Sequence, residues 1–196
     1  MVLTAYQALP DYRQTINLLD GRQILIRPIC PDDRLLLTVF FDQLTDETRF
    51  FRYHYSKRQL TESELKEYCE MDYRDNLALV AEIEREGKRQ IVGVGSCSRL
   101  PDSHTAEVAF VVQDGEQRRG IGTQLLKHLS ILAWQRDIHF FSGEILRNNA
   151  KMLSIFRKSD PGMKQVVDSG STCVVTLSVA EAMSRIAEFG DDRRRK

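Results

Sequence analysis

The run Gln117-Arg118-Arg119-Gly120-Ile121-Gly122 holds the residue types that can grip an anion. Two glycines let the backbone approach a ligand closely, and two arginines stand beside them. An apolar run, residues 106–112, comes before it. A segment with Leu125, Leu126, Leu129, Leu132 and Ala133 follows, and that spacing predicts an amphipathic helix starting near Thr123. Strand, glycine loop and helix N-terminus together make a cradle in which free N–H groups and the helix dipole favour negative charge. A pyrophosphate is the natural guest.

Other glycine loops compete for this reading. Gly120-x-Gly122 opens a GxGxxG, but Leu125 stands where the third glycine belongs. A dinucleotide loop also follows the first strand of a doubly wound sheet, whereas strands of a meander precede this one. No GxxxxGK[ST] run is present, which excludes a nucleotide P-loop. A tight loop without a ligand leaves Arg118 and Arg119 unexplained.

The elements that must position the cradle read as one mixed α/β domain. Residues 1–14 form an arm. Residues 16–19 and 23–29 flank Asp20-Gly21 as a hairpin. Pro31-Asp32-Asp33 starts a helix ending near Leu44, residues 45–55 make a shorter one, and the capping box at Thr61 and Glu64 opens a third. Residues 77–83, 90–100 and 105–112 are strands of an antiparallel meander. After the cradle helix come a strand at 140–146, a helix at 150–158, strands at 166–167 and 172–179, and a terminal helix and basic tail over 181–196.

Composition narrows the class. The chain has 196 residues, enough for a single core, and 28 basic residues balance 28 acidic ones. No global field draws it to nucleic acid or to a membrane surface. No apolar run approaches the roughly 20 residues a spanning helix needs, and the first residues lack the pattern of a signal peptide. Cys30, Cys69, Cys97 and Cys173 form no CxxC pair and read as reduced thiols of a cytoplasmic protein. His54, His104, His128 and His139 show no metal spacing, so no metal is expected.

Gln117-x-x-Gly120-x-Gly122, between strand and helix, resembles the signature of the GNAT acetyltransferase superfamily: Gln or Arg, two residues, Gly, one residue, Gly or Ala. Ala106-Glu107-Val108-Ala109-Phe110 is similar to that family's glutamate-bearing fourth strand. The run from Glu144 through Asn149 to Leu153, with Phe156 and Lys158, resembles its second cofactor segment. Ile26-Arg27-Pro28, residues 44–52 and Asp72-Tyr73 are most similar to the bacterial protein-lysine acetyltransferases that modify acyl-CoA synthetases. The resemblance covers residues 15–180. It implies a mostly antiparallel sheet of about six to seven strands flanked by helices, splayed in a V between the fourth and fifth. It also implies acetyl-CoA as co-substrate and a primary amine as acceptor, a protein lysine first.

By the same resemblance, the backbone N–H groups of Arg118, Arg119, Gly120, Ile121, Gly122 and Thr123 would hold the pyrophosphate, with charge-assisted contacts from Arg118 and Arg119, and Gln117 would belong to the same cofactor site. Phe110, Val111 and Val112 would hold the pantetheine arm, with one N–H of Val111 or Val112 on the thioester carbonyl. Asn149, which also suits a helix N-cap, and Phe156 would flank the arm. Glu107 would be the general base. A lysine amine of pKa ~10.4 is about one part in a thousand neutral near pH 7.4, so an acceptor for its proton matters; partial burial would tune Glu107 for that task. Alternation puts Glu107, Ala109 and Val111 on one face of the strand, and Ala106, Val108 and Phe110 on the other.

Two departures stand out. Phe156 occupies the position of a proton-donating tyrosine in many GNAT enzymes, which leaves the general acid unassigned, with Ser154 as a local candidate. Lys158-Ser-Asp-Pro-Gly replaces a lysine closely followed by Gly-Phe. Direct attack is favoured over a Cys97 acyl-enzyme, and Arg49, Arg52 and Tyr53 are candidates for an acceptor surface. A small-molecule amine acceptor and a non-catalytic acetyl-CoA-binding module remain the alternatives.

Overall fold

The strand that carries Glu107 ends up in the middle of a sheet in which every neighbouring pair but one is antiparallel. The computed structural model describes residues 11–191 except 19, 102, 168 and 169. The first ten residues of the arm and the tail at 192–196 lie outside it.

In chain order the strands are β1 (Gln14–Asn17), β2 (Gln23–Pro28), β3 (Asn76–Arg85), β4 (Lys88–Arg99), β5 (Thr105–Val112), β6 (Phe140–Leu146), β7 (Lys164–Val167) and β8 (Thr172–Ser178). The helices are α1 (Arg34–Asp42), α2 (Asp46–Tyr53), α3 (Glu62–Cys69), α4 (Ile121–Trp134), α5 (Ala150–Ser159) and α6 (Val179–Asp191). The sheet runs β1-β2-β3-β4-β5-β6-β8-β7, eight strands rather than six or seven, and only β5–β6 is parallel.

Two cores sandwich the sheet. On one side Leu125, Leu126 and Leu129 of α4 pack with Phe156 of α5, Ala182 of α6 and the inward faces of the strands, including Leu79, Val108, Phe141 and Val175. On the other, Leu37, Phe40 and Phe41 of α1 and Leu65 of α3 cover Ala78, Val80, Ile91 and Val94. Side chains alternate across the sheet, so β3 and β4 contribute to both cores.

A buried ion cluster fixes how α1 enters. Arg27 on β2 reaches Asp33 with two nitrogens at 2.6 and 2.7 Å, and Glu82 on β3 at 2.6 Å. Burial would push the Asp33 carboxyl up, but the guanidinium beside it holds it below the usual range. Removing one partner would strand a buried charge, the costly way to break such a cluster.

Several boundaries differ from the sequence expectation. The first hairpin pairs Gln14 to Ile26 through Asn17 to Gln23, so its strand starts earlier and its connection is longer than Asp20-Gly21 alone. The Leu18 N–H closes that loop on the Arg22 carbonyl at 2.7 Å. Tyr12, placed in the arm, packs on the fold: its hydroxyl lies 2.6 Å from Nδ1 of His128. Helix α4 begins at Ile121 rather than near Thr123, because buried Ile121 already belongs to its apolar stripe.

Candidate active site

The parallel pairing of β5 with β6 lasts for three residues, Thr105 to Glu107 against Phe140 to Ser142, and then stops. On its other edge β5 stays paired with β4 as far as Val112. From Val108 onward the strands therefore diverge, and one edge of β5 is left without a strand partner. This is the V-shaped splay, falling between β5 and β6 because the N-terminal hairpin adds a strand to the count.

Alternation decides which groups face the gap. The Thr105 carbonyl accepts from Leu100 and the Gln113 N–H donates to Val92, both on the β4 side. Odd-numbered residues of β5 thus direct their backbone groups to β4, and even-numbered ones to the gap. Donors into the gap are Val108, Phe110 and Val112. Val111, one of the two residues expected as the backbone donor, directs its backbone to β4, although the residue lines the cavity.

At the top of the gap lies the glycine loop. Gly120 is the N-cap of α4 with φ 92°, a left-handed conformation that suits glycine. The helix ladder starts with the Gln124 N–H on the Gly120 carbonyl at 3.0 Å, so the amides of Ile121, Gly122 and Thr123 have no intrahelical acceptor. A Cβ on Gly122 would sit 3.3 Å from Ile155 Cδ1 and 3.8 Å from Val112 Cγ2, so glycine lets β5, α4 and α5 meet at the cradle.

The two arginines of the loop are not equivalent. Arg119 is engaged: Nη1 lies 2.6 Å from Asp20, Nε 3.5 Å from Glu116, and the guanidinium donates to the Gly115 carbonyl. Arg118, at φ 62°, is exposed and has no ion-pair partner among the described residues. Buried Glu116 gathers Arg22 at 2.7 Å and Arg85 as well. Burial alone would raise its carboxyl; Arg22 and Arg85 outweigh that and hold it below the ordinary range.

Gln117 spans three elements. Its Nε2 donates to the Val112 carbonyl at 3.1 Å and to Thr48 Oγ1 at 3.3 Å, while Oε1 accepts from Lys151 at 2.9 Å. Asn149 is the N-cap of α5 and accepts from the Met152 N–H at 3.1 Å. It lines the cavity too, so the cap and a ligand contact are compatible. Phe156 is buried edge-on to Phe110, centroids 6.3 Å apart, and Ser154 is exposed at the cavity wall.

These groups enclose a cavity of ≈ 1410 Å³ running from the β1 residues Thr15 and Ile16, past the first turn of α4, through the splay to Arg52 and Tyr53 of α2 and its C-cap His54. Glu107 faces it but is exposed, so the partial burial expected of it is not found. Its neighbours are the reason: Ala109 and Val111 share its face, and the apolar side chains of Val108 and Phe110 point the other way. Arg49 is turned away, donating to the carbonyls of Asp42 and Arg58 and lying 4.8 Å from the Phe41 ring centroid.

Sequence reasoning missed a second carboxylate, Glu144. On β6, Phe141, Gly143 and Ile145 are buried while Ser142 and Glu144 point to the opposite face. Ser142 is the register partner of Glu107, so Glu144 stands two residues along the same face, and it lines the same cavity. Only the β5–β6 register reveals this. The threonines and lysine that hold Asp114 and Gln117 also carried no signal of their own.

Cys97 is poorly placed to act as an acyl carrier. Its side chain lies in the α4 core, and burial pushes its thiol up to about 12. All four cysteines are free thiols. No helix among the described residues is long and apolar enough to cross a membrane.

Known proteins resemble this chain in sequence and fold. Residues 40–159 match the model of the acetyltransferase (GNAT) family. An acetyltransferase of Pseudomonas aeruginosa is 28% identical over 126 residues, 64% of this chain and 68% of that protein. The GNAT domain of S. lividans PAT superposes with a TM-score of 0.77 at 27% identity, covering 85% of this chain and 96% of that one. The Salmonella typhimurium protein yncA, solved with its cofactor acetyl-CoA, gives 0.62 at 19% identity over 80% of this chain and 94% of its own, a likeness of fold. The chain belongs to the GNAT family and is an acetyl-CoA-dependent acetyltransferase.

Proposed function

We propose that this enzyme acetylates a primary amine, foremost a protein lysine, by direct attack of the amine, with Glu107 taking its proton. The observation that carries the reading is the gap itself: backbone donors of Phe110 and Val112 point into it, and Glu107 and Glu144 share the sheet face at its closed end. Acetyl-CoA supplies the activated acetyl group. The first turn of α4 holds its diphosphate, and the free edge of β5 aligns its arm as a strand would pair.

The N–H of Val112 or Phe110 polarises the thioester carbonyl, a contact that strengthens as charge develops on oxygen. Glu107 and Glu144 together form an anionic mouth that suits an incoming ammonium group. Glu107, at the last paired position of β5, receives the proton as nitrogen attacks, and Glu144 holds the amine in place. Phe156 cannot donate to the leaving sulfur. A thiol of pKa ~8.5 departs tolerably unaided, so no buried acid is required.

A protein acceptor is supported by the cavity and by the N-terminal half. The cavity continues past the proposed thioester position to Arg52, Tyr53 and His54, beyond the stretch that the acetyl-CoA arm would fill. The segments around Arg27, residues 44–52 and Asp72 carry the resemblance to lysine acetyltransferases. Glu107→Gln is the direct test. Acetyl-CoA affinity should hold while transfer at neutral pH falls by about 10²–10⁴-fold, the usual range for a lost general base. Unchanged transfer removes Glu107 from the mechanism. Incubation of lysates with labelled acetyl-CoA, followed by mass spectrometry, distinguishes lysine peptides from small amines as products.

A further inference from the structure

His104, Asp137 and His139 converge at the closed end of the splay, away from the acetyl-transfer cavity. Nδ1 of His104 lies 3.0 Å from one carboxylate oxygen of Asp137, and Nε2 of His139 lies 3.0 Å from the other. The ligand atoms of all three fall within 4.8 Å of one another. His104 ends the β4–β5 loop; Asp137 and His139 lie on the connection from α4 to β6. Their approach is a product of the parallel pairing, since the His104 carbonyl accepts the N–H groups of His139 and Phe140 at 2.7 and 3.1 Å.

We propose that these three side chains form a binding site for a divalent transition-metal ion, zinc foremost. The donor set is two imidazole nitrogens and one carboxylate, which selects zinc, nickel or copper(II) over magnesium or calcium. A tetrahedral zinc with ligand bonds near 2.1 Å spaces its donors at about 3.4 Å. The two N···O distances of 3.0 Å are already near that spacing, and the widest separation, no more than 4.8 Å, needs a contraction of at most about 1.4 Å, within reach of side chains on a surface. The ion takes the place of any proton between ring and carboxylate; a neutral ring keeps its one proton on the other nitrogen, and only a charged ring releases one. Solvent supplies the fourth ligand, because the His104 and Asp137 side chains are 61% and 68% exposed.

The surroundings support the assembly. The two imidazole rings already stack, centroids 5.0 Å apart and 11° from parallel, and Trp134 lies over His139 at 4.9 Å. The nearby cation, Arg99, is turned toward backbone: it donates to the carbonyls of Ser103, Arg136 and Asp137, and to the Asp75 carboxylate at 2.9 Å. The Asp137 carboxylate is left to the histidines. A bound ion would tie the start of β5 to the start of β6 at the closed end of the V, three residues before Glu107 in the chain.

Trp134 is the sole tryptophan of the chain, so its emission reports on this site. Tag-free protein is titrated with zinc chloride at pH 7.5 by calorimetry, and with nickel chloride by fluorescence. One equivalent should bind, with quenching of Trp134 by nickel. His104→Ala/His139→Ala should weaken zinc at least tenfold and abolish the quenching, while acetyl-CoA still binds as it does to the wild type. Asp137→Asn, which keeps both histidines and the side-chain shape, should weaken zinc by about tenfold. Zinc should also raise the melting temperature of the wild type and leave that of the double variant unchanged. No binding below 1 mM zinc, or equal affinity in the double variant, overturns the site.

Discussion

Arg118→Ala and Arg119→Ala should have opposite consequences from what their adjacency suggests. Arg119 is occupied by Asp20 at 2.6 Å and Glu116 at 3.5 Å, so contact with a phosphate would first break an ion pair. Asp20 in turn is held at about 2, mainly by the Arg22 hydrogen bond with Arg119 contributing. Arg118 is exposed beside the same amides with nothing to leave behind. A unit charge 4 Å from a phosphate in water is worth about 1 kcal/mol, and a charge-assisted hydrogen bond adds to that. Loss of Arg118 should thus cost about 1–1.4 kcal/mol, a five- to tenfold rise in the Kd for CoA. Alanine carries the same steric penalty at φ 62° as arginine does, so the loop itself should not move. Removal of Arg119 should change Kd less than about twofold, because Glu116 keeps Arg22 and Arg85. Calorimetry with CoA at 50 mM and 500 mM salt reads both numbers, and the Arg118 effect should shrink at high salt. A tenfold loss in Arg119→Ala with an unaffected Arg118→Ala would refute the assignment.

Two further perturbations test the core around the site. Cys97→Ala should leave transfer per folded molecule within about twofold while lowering stability by about 1–2 kcal/mol; loss of turnover with intact acetyl-CoA binding would instead point to an acyl-cysteine. His128 is buried, and burial lowers its pKa to about 4, Lys127 adding a little. Folding therefore favours the neutral ring: its contribution is complete above the unfolded value of ~6.5 and is lost as pH falls from there toward 4, by about 3 kcal/mol in all. Urea melts between pH 7.5 and 4.5 check this, and His128→Phe should flatten that part of the profile; an unchanged slope in the variant, or an NMR titration of the ring near 6.5, argues against it.

The chain's local signals were enough to read the meander, the cradle and most helices. Period-two burial in β5, the Thr61–Glu64 capping box and the glycine loop each depend on neighbours in sequence. What escaped depends on register. Glu144 joins Glu107 only because β6 runs parallel to β5 with Ser142 opposite Glu107. His104, Asp137 and His139 meet for the same reason, and a search for metal spacing along the chain has no access to it. The burial expected of Glu107 failed because the side chains assumed to cover it face the α4 core. The start of α4 was set two residues late because Ile121 was counted with the loop rather than with the stripe it begins.

The splay also explains why an amide side chain belongs at the head of the cradle. Where β5 leaves β6, its even-numbered residues lose the partners that a sheet would give them, and the last gap-facing carbonyl is that of Val112. A buried carbonyl without a donor costs about 1–3 kcal/mol. Gln117 supplies the donor at 3.1 Å, and the same amide group reaches Thr48 on α2 and accepts from Lys151 on α5. Arginine would serve the carbonyl equally, since it also donates from a long side chain. Asp114, three residues earlier, accepts from the Thr45 N–H at 3.0 Å and from the hydroxyls of Thr45 and Thr48 at 2.8 and 2.7 Å. One short loop thereby fixes the N-terminus of α2, satisfies the last carbonyl of the open β5 edge and leads directly into α4. The splay leaves backbone groups of β5 unpaired, and the residues that repair them are the ones that tie α2, β5 and α5 together beside the first turn of α4.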